Sequence, residues 1–334
     1  MLIFRLLDEV IYPNYRKTAL KNPVFIISNP RSGTTYLHSL ICMDEERFTY
    51  FMLYHTFFPS ILFYRFILLL KRIDSHLNWT LRRFFEWVEK IVFKGWQDIH
   101  PMGFEKSEED EGIFVLQMMS PIIGMFCPWF REIDYPFVSD KLSEKKKKRM
   151  MSFYKNTLQR FSYAWGADKT ILVKNVVSTG RIDMLMDTFP DAKIIYPVRH
   201  PYKIVPSMTS MFSATWSIIA PKLPKNSPEF RTWGEMIIAF YRHFMDEIEH
   251  IDSDKLYPCL YTELMNNPKA LVLDIYKEFH FSVSPEFEQR LTQATNKAKK
   301  YKSKHHYSLE EYGYTKEDIY EPLKDVFERF DFKR

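Results

Sequence analysis

The chain has 334 residues, 47 basic against 42 acidic side chains for a net charge of +5, and 29 Phe, 20 Tyr and 7 Trp beside only 9 Gly. That length suits one domain or two; glycine far below its usual share of about 7% excludes collagen-like and glycine-rich disordered chains, and so small a charge excess argues against a nucleic-acid partner. Three cysteines without a CxxC pair indicate neither a disulfide framework nor a cysteine zinc site and suit a reducing, cytoplasmic setting.

Met1 to Tyr15 reads as a helix, because Arg5, Asp8 and Glu9 interrupt its apolar start and no small-residue cleavage site follows. Val24 to Ser28 reads as the first strand. It leads into Ser28-Asn29-Pro30-Arg31-Ser32-Gly33-Thr34-Thr35 and the apolar helix Tyr36 to Cys42. The spacing is that of a P-loop, with Thr34 where the lysine would stand and Thr35 at the terminal hydroxyl position. Backbone amides around Gly33 and the helix N-terminus form an anion nest, and Arg31 adds a bidentate cation. A P-loop kinase needs that lysine and usually a magnesium ion held by a strand-end acid; neither is evident in the sequence.

Residues 43–168 carry mostly helical periodicity, including Arg82 to Phe93 and Glu144 to Trp165, and read as an insertion forming the acceptor side. Two of its stretches are strongly apolar. Tyr50 to Leu70 contains His55, Pro59, Ser60 and Arg65, while Gly112 to Phe130 is uncharged over 19 residues but holds Pro121, Gly124 and Pro128. Both read as buried helices or pocket walls rather than membrane spans. The first, edged by Lys71 and Arg72 and helped by the run Lys145 to Arg149, is also a candidate for peripheral contact with the inner face of a membrane. Between the two, the segment from His100 to Glu111 gathers Glu105, Glu108, Glu109, Asp110 and Glu111.

Strands recur at Thr170 to Val173, Ile194 to Val198 and Leu256 to Leu260, each followed by a helical pattern. The alternation predicts an α/β fold with a parallel central sheet flanked by helices, and ligands collect outside the carboxyl ends of such strands. There the second strand presents Lys174, the third Arg199, and the fourth Tyr261-Thr262-Glu263-Leu264. Ser207, from the helix after the third strand, can join Arg199 on one dianion. Near the end, Lys299 to Leu309 mixes lysines with rings and histidines.

At the first loop the chain resembles the sulfotransferases that use 3′-phosphoadenosine 5′-phosphosulfate (PAPS), and the bacterial-type members in particular. The resemblance implies a single P-loop-NTPase-like sulfotransferase domain over residues 1–334 with a helical acceptor-binding insertion. It implies that Arg31, Ser32, Gly33, Thr34 and Thr35 hold the phosphosulfate, and that Arg199 and Ser207, eight residues apart as in the family, hold the 3′-phosphate. Tyr261 would touch the adenine, and Lys302 or Lys304, in a C-terminal loop over residues 296–315, would close on the nucleotide. Lys174 would stabilise the departing charge, with no metal required.

One departure matters. Cytosolic small-molecule members carry a catalytic histidine two residues after that lysine, where this chain has Val176. The acidic segment is similar to one in bacterial and protein-tyrosine-directed members, which makes Glu109 the first candidate base, with His100 and Glu111 next. Crowding by Glu108, Asp110 and Glu111 is expected to raise its pKa. The apolar stretches point to a hydrophobic acceptor such as a sterol, steroid or lipid alcohol. The rivals are a P-loop kinase acting on a small molecule and a catalytically inactive, membrane-surface nucleotide-binding protein. Nothing in the sequence indicates the oligomeric state.

Overall fold

The computed structural model describes residues 2–76, 80–92, 103, 106–132, 136–166, 168–298 and 307–334. Its frame is a sheet of five parallel strands: β1 (Val24–Ile26), β2 (Phe48–Tyr50), β3 (Thr170–Lys174), β4 (Lys193–Val198) and β5 (Leu256–Leu260), in the order β2-β3-β1-β4-β5. Four of these are the strands expected from the β-branched runs. The fifth, β2, was not expected, because three residues at a sheet edge leave no periodicity to read. It lies inside the stretch read as a helical insertion and pairs Phe48, Thr49 and Tyr50 with Thr170, Ile171 and Leu172.

Alternation along the strands explains why helices cover both faces. Phe25, Val173, Ile194 and Tyr196 face one core, and Val24, Ile26, Leu172 and Ile195 face the other. In chain order the helices begin with α1 (Leu2–Ile11), α2 (Thr34–Ile41), α3 (Leu53–Phe57), α4 (Ile61–His76), α5 (Thr80–Val92), α6 (Gly112–Val115) and α7 (Glu144–Trp165). They continue with α8 (Ile182–Thr188), α9 (Pro201–Phe212), α10 (Trp216–Ile219), α11 (Pro228–Glu247), α12 (Tyr261–Asn266), α13 (Pro268–Glu278) and α14 (Pro285–Ala298). Among the described residues no helix is long and apolar enough to cross a membrane. The apolar stretch from Gly112 breaks after α6 into short 3₁₀ turns, as its prolines require.

From β1 the chain runs first to the β2 edge and then, through β3, to the β4 side. The order therefore reverses at β1, which is where a doubly wound sheet opens a crevice at its carboxyl ends.

Candidate functional site

The loop after β1 has the backbone geometry of an anion nest. Arg31 and Gly33 both adopt positive φ, 69° and 84°, so the peptide units between them turn and Gly33 starts α2 from a left-handed conformation. A side chain at Gly33 would be strained by that φ and would also meet Leu264 Cδ2 at 3.0 Å and Tyr261 Cδ2 at 3.1 Å. The same close approach seats Tyr261 of α12 on the loop. The Ser28 hydroxyl donates to the Pro197 carbonyl, fastening the loop to β4. Ser32 is fully buried, and its Oγ has no partner among the described residues. A buried hydroxyl is normally satisfied, so this one marks a place for a ligand acceptor.

Arg199 leaves β4 beside this loop. Its guanidinium donates to the Arg31 carbonyl at 2.6 Å and lies 4.3 Å from the Tyr261 ring centroid, while Tyr241 donates to its own carbonyl. Arg31 reaches across to α9, where its Nε donates to Ser207 Oγ at 3.2 Å. Arg31, Arg199, Ser207, Tyr261 and Gly33 are thus brought together from four segments. Neither guanidinium meets a carboxylate among the described residues. Burial lowers the Arg199 pKa, with Tyr261 opposing and Arg31 adding to the shift. Two adjacent cations without an acid create a demand for a multiply charged anion. A cavity of about 440 Å³ adjoins Arg31 and is lined by Met211, Trp216, Phe230, Tyr307 and Tyr312. Lys302 and Lys304, expected to close over the nucleotide, lie outside the described residues, as does His100.

The second cluster stands at the end of β3. Lys174, whose side chain is fully buried, donates to Thr35 Oγ1 at 3.2 Å and has Glu109 Oε1 at 3.3 Å and Glu108 Oε1 at 3.7 Å. Thr35 therefore links the anion loop to Lys174, and Lys174 links Thr35 to the acidic segment. Behind it, on α2, lies buried His38; burial holds its imidazole well below the ordinary value, and Lys174 adds to the effect.

The acids do not act as one crowd. Glu111 is buried in a fork-to-fork pair with Arg181, at 2.6 and 2.8 Å, and accepts a further bond from Asn175 at 2.9 Å. Both of its oxygens are committed to these partners. Asp110 is buried and accepts from Tyr154 at 2.5 Å and from Asn175 at 2.6 Å; burial raises its pKa to about 7. Asp110 is thus a carboxyl raised toward neutrality, held by Tyr154 and Asn175. Glu109 is the acid with part of its side chain in contact with solvent, 19% against 8% for Glu108. Sequence reasoning missed the organiser of this arrangement, Asn175, whose amide holds Asp110 and Glu111 while its Oδ1 accepts from the amides of Val177 and Ser178. Its position next to Lys174 was the available signal. Gly180, close by, serves packing: a Cβ there would lie 2.6 Å from the Phe137 carbonyl oxygen.

Residues 23–285 match the model of the sulfotransferase family. Two curated relatives, the omega-hydroxy-beta-dihydromenaquinone-9 sulfotransferases Stf3 of Mycobacterium bovis and Mycobacterium tuberculosis, are each 26% identical over 263 residues, 76% of this chain and 62% of theirs. The chain thus spans less than two thirds of those relatives' length. Among solved structures, the sulfotransferase STF9 from Mycobacterium avium is similar with a TM-score of 0.77 at 16% identity, over 98% of this chain and 81% of that one. The sulfotransferase STF1 from Mycobacterium tuberculosis is similar with a TM-score of 0.67 at 21% identity, over 96% and 81%. Those two likenesses concern the fold.

Proposed function

Since this chain belongs to the sulfotransferase family, we propose that it moves the sulfuryl group of PAPS to the hydroxyl of a hydrophobic lipid alcohol. The observation that carries the reading is the continuous polar path from the guanidiniums of Arg31 and Arg199, which meet no carboxylate among the described residues, through the anion loop and Thr35, to Lys174 and Glu109. The donor, when bound, supplies an activated sulfuryl group on a phosphate leaving group. The residues present fit it: a positive-φ nest, an unpartnered Ser32 hydroxyl and two acid-free guanidiniums.

Arg31, Ser32, Gly33, Thr34 and Thr35 would hold the phosphosulfate end. Arg199 and Ser207 would hold the 3′-phosphate, Tyr261 the base, and Lys302 or Lys304 would close the site. Glu109 takes the acceptor's proton on a carboxylate oxygen, with His100 as the other candidate in that segment. Lys174 bridges the proton-accepting side and the loop, a compact cation placed where negative charge develops. A lipid alcohol suits the menaquinone-derived acceptor in the relatives' name.

The test has two arms. Titration calorimetry should find 3′,5′-ADP bound more tightly than ATP, and mass spectrometry should find sulfated products after incubation with PAPS and a total lipid extract. Tighter binding of ATP would favour a kinase and refute the reading. Tight 3′,5′-ADP binding with no sulfated product from lipid or polar extracts would leave a nucleotide-binding protein without transferase activity.

A further inference from the structure

α1 is built inside out. Of its ten residues the two turned into the protein are charged, Arg5 and Asp8, while Leu2, Ile3, Leu6, Leu7, Val10 and Ile11 are exposed, from 43% to 79%. This orientation is fixed by strong polar contacts. Asp8 accepts from the backbone amides of Ile61 at 2.9 Å and Leu62 at 3.0 Å, capping α4, and pairs with Arg160 of α7 at 3.2 Å. Arg5 donates to the Pro59 carbonyl and to Thr157, both at 2.9 Å. Rolling the helix to hide its leucines would strand two buried charges, so the outward apolar face is a built feature.

The neighbouring helix extends that face. α1 packs against α4, and both meet α7, α1 through Arg5 on Thr157 and Asp8 on Arg160; α4 exposes Phe66, Leu69 and Ile73 at i, i+3 and i+7. The C-terminal end of α3 adds exposed Phe57 and, just after it, Phe58, six residues or fewer from Met52, which bridges to Ser107 beside the acidic segment. An apolar area of this extent on a globular chain marks a docking surface.

Charge selects the occupant. Lys17, Arg65 and Arg72 are exposed around the apolar side chains. The acids of the same helices are withdrawn: Asp8 and Asp74 are buried, and Glu9 is tied to Arg16 and Arg160. A second copy meeting this face across a two-fold axis would bring that basic rim against itself. An anionic bilayer complements both the rim and the apolar centre.

We propose that α1 and α4 form a peripheral docking surface for an anionic membrane. The inference goes beyond the transfer reaction, and its test requires no acceptor. The full chain should cosediment with phosphatidylcholine vesicles containing about 30% phosphatidylglycerol and only weakly with pure phosphatidylcholine. Leu6→Glu and Leu69→Glu should each weaken that binding about tenfold or more while keeping the wild-type melting temperature, because both side chains are exposed. Arg65→Gln should lower binding to the anionic vesicles alone. Wild-type protein remaining in the supernatant, or both glutamate variants binding like wild type, would overturn the proposal. So would light scattering that finds a stable dimer which Leu6→Glu dissolves, since a second copy would then cover the face.

Discussion

Replacing Lys174 with methionine removes the cation that joins the anion loop to the acidic segment. Its ammonium sits 3.3 Å from Glu109 and 3.7 Å from Glu108. At an effective dielectric of about 20 each attraction amounts to about 4 to 5 kcal/mol. Methionine fills the volume and leaves two mostly buried carboxylates facing each other, a change of the kind that costs about 3 to 5 kcal/mol in stability. The single variant therefore confounds folding with catalysis, and Glu108→Gln in the same chain should recover much of the loss by removing one of the two charges. Activity should not recover. Removing a donor from a site of developing charge lowers turnover by about 10²- to 10³-fold. Binding of 3′,5′-ADP should stay within about threefold of wild type, because Arg31, Arg199 and Ser207 are untouched. The assay follows label from sulfate-labelled PAPS into the organic phase in the presence of lipid extract, beside calorimetry with 3′,5′-ADP and a thermal melt. A folded Lys174→Met/Glu108→Gln protein that transfers label at the wild-type rate would refute the role given to Lys174.

Glu109→Gln should lower turnover by about 10²- to 10⁴-fold with only part of the stability loss of Glu111→Gln, because Lys174 keeps Glu108, whereas Glu111→Gln should lower stability by about 3 to 5 kcal/mol, since it strands buried Arg181; thermal melts and label transfer on both separate the roles. Arg199→Ala should weaken 3′,5′-ADP by about 1.5 to 3 kcal/mol, read by calorimetry, with secondary structure retained by circular dichroism. Asp110 has its pKa raised from 3.8 to about 7 by burial, so the native state keeps a proton that the unfolded chain has released. Its contribution to stability is complete below about pH 4 and falls as pH rises through about 7, a loss on the order of 4 kcal/mol. Denaturant melts across that range should show this decline in wild type and its absence in Asp110→Asn.

The anion loop was legible in the sequence because its chemistry is local. A nest of amides depends on the φ of a few consecutive residues, and Pro-Arg-Ser-Gly-Thr-Thr places the glycine and the helix start that it needs within six residues. Arg199 and Ser207 were singled out by the resemblance, whose eight-residue spacing joins a strand end to the helix that follows it. Four of the strands were readable because a buried parallel strand is apolar on both faces.

What only the tertiary structure decided are partnerships across long stretches of chain. The acidic segment looks uniform as a sequence, yet Glu111 is claimed by Arg181, Asp110 by Tyr154 and Asn175, and Glu108 and Glu109 lie against Lys174. No local pattern assigns such pairs, because each is settled by which buried group would otherwise be left without a partner. The same holds for α1: its composition announces a helix with charges, but only Asp8 capping α4 and meeting Arg160 determines that the charges face in and the leucines face out.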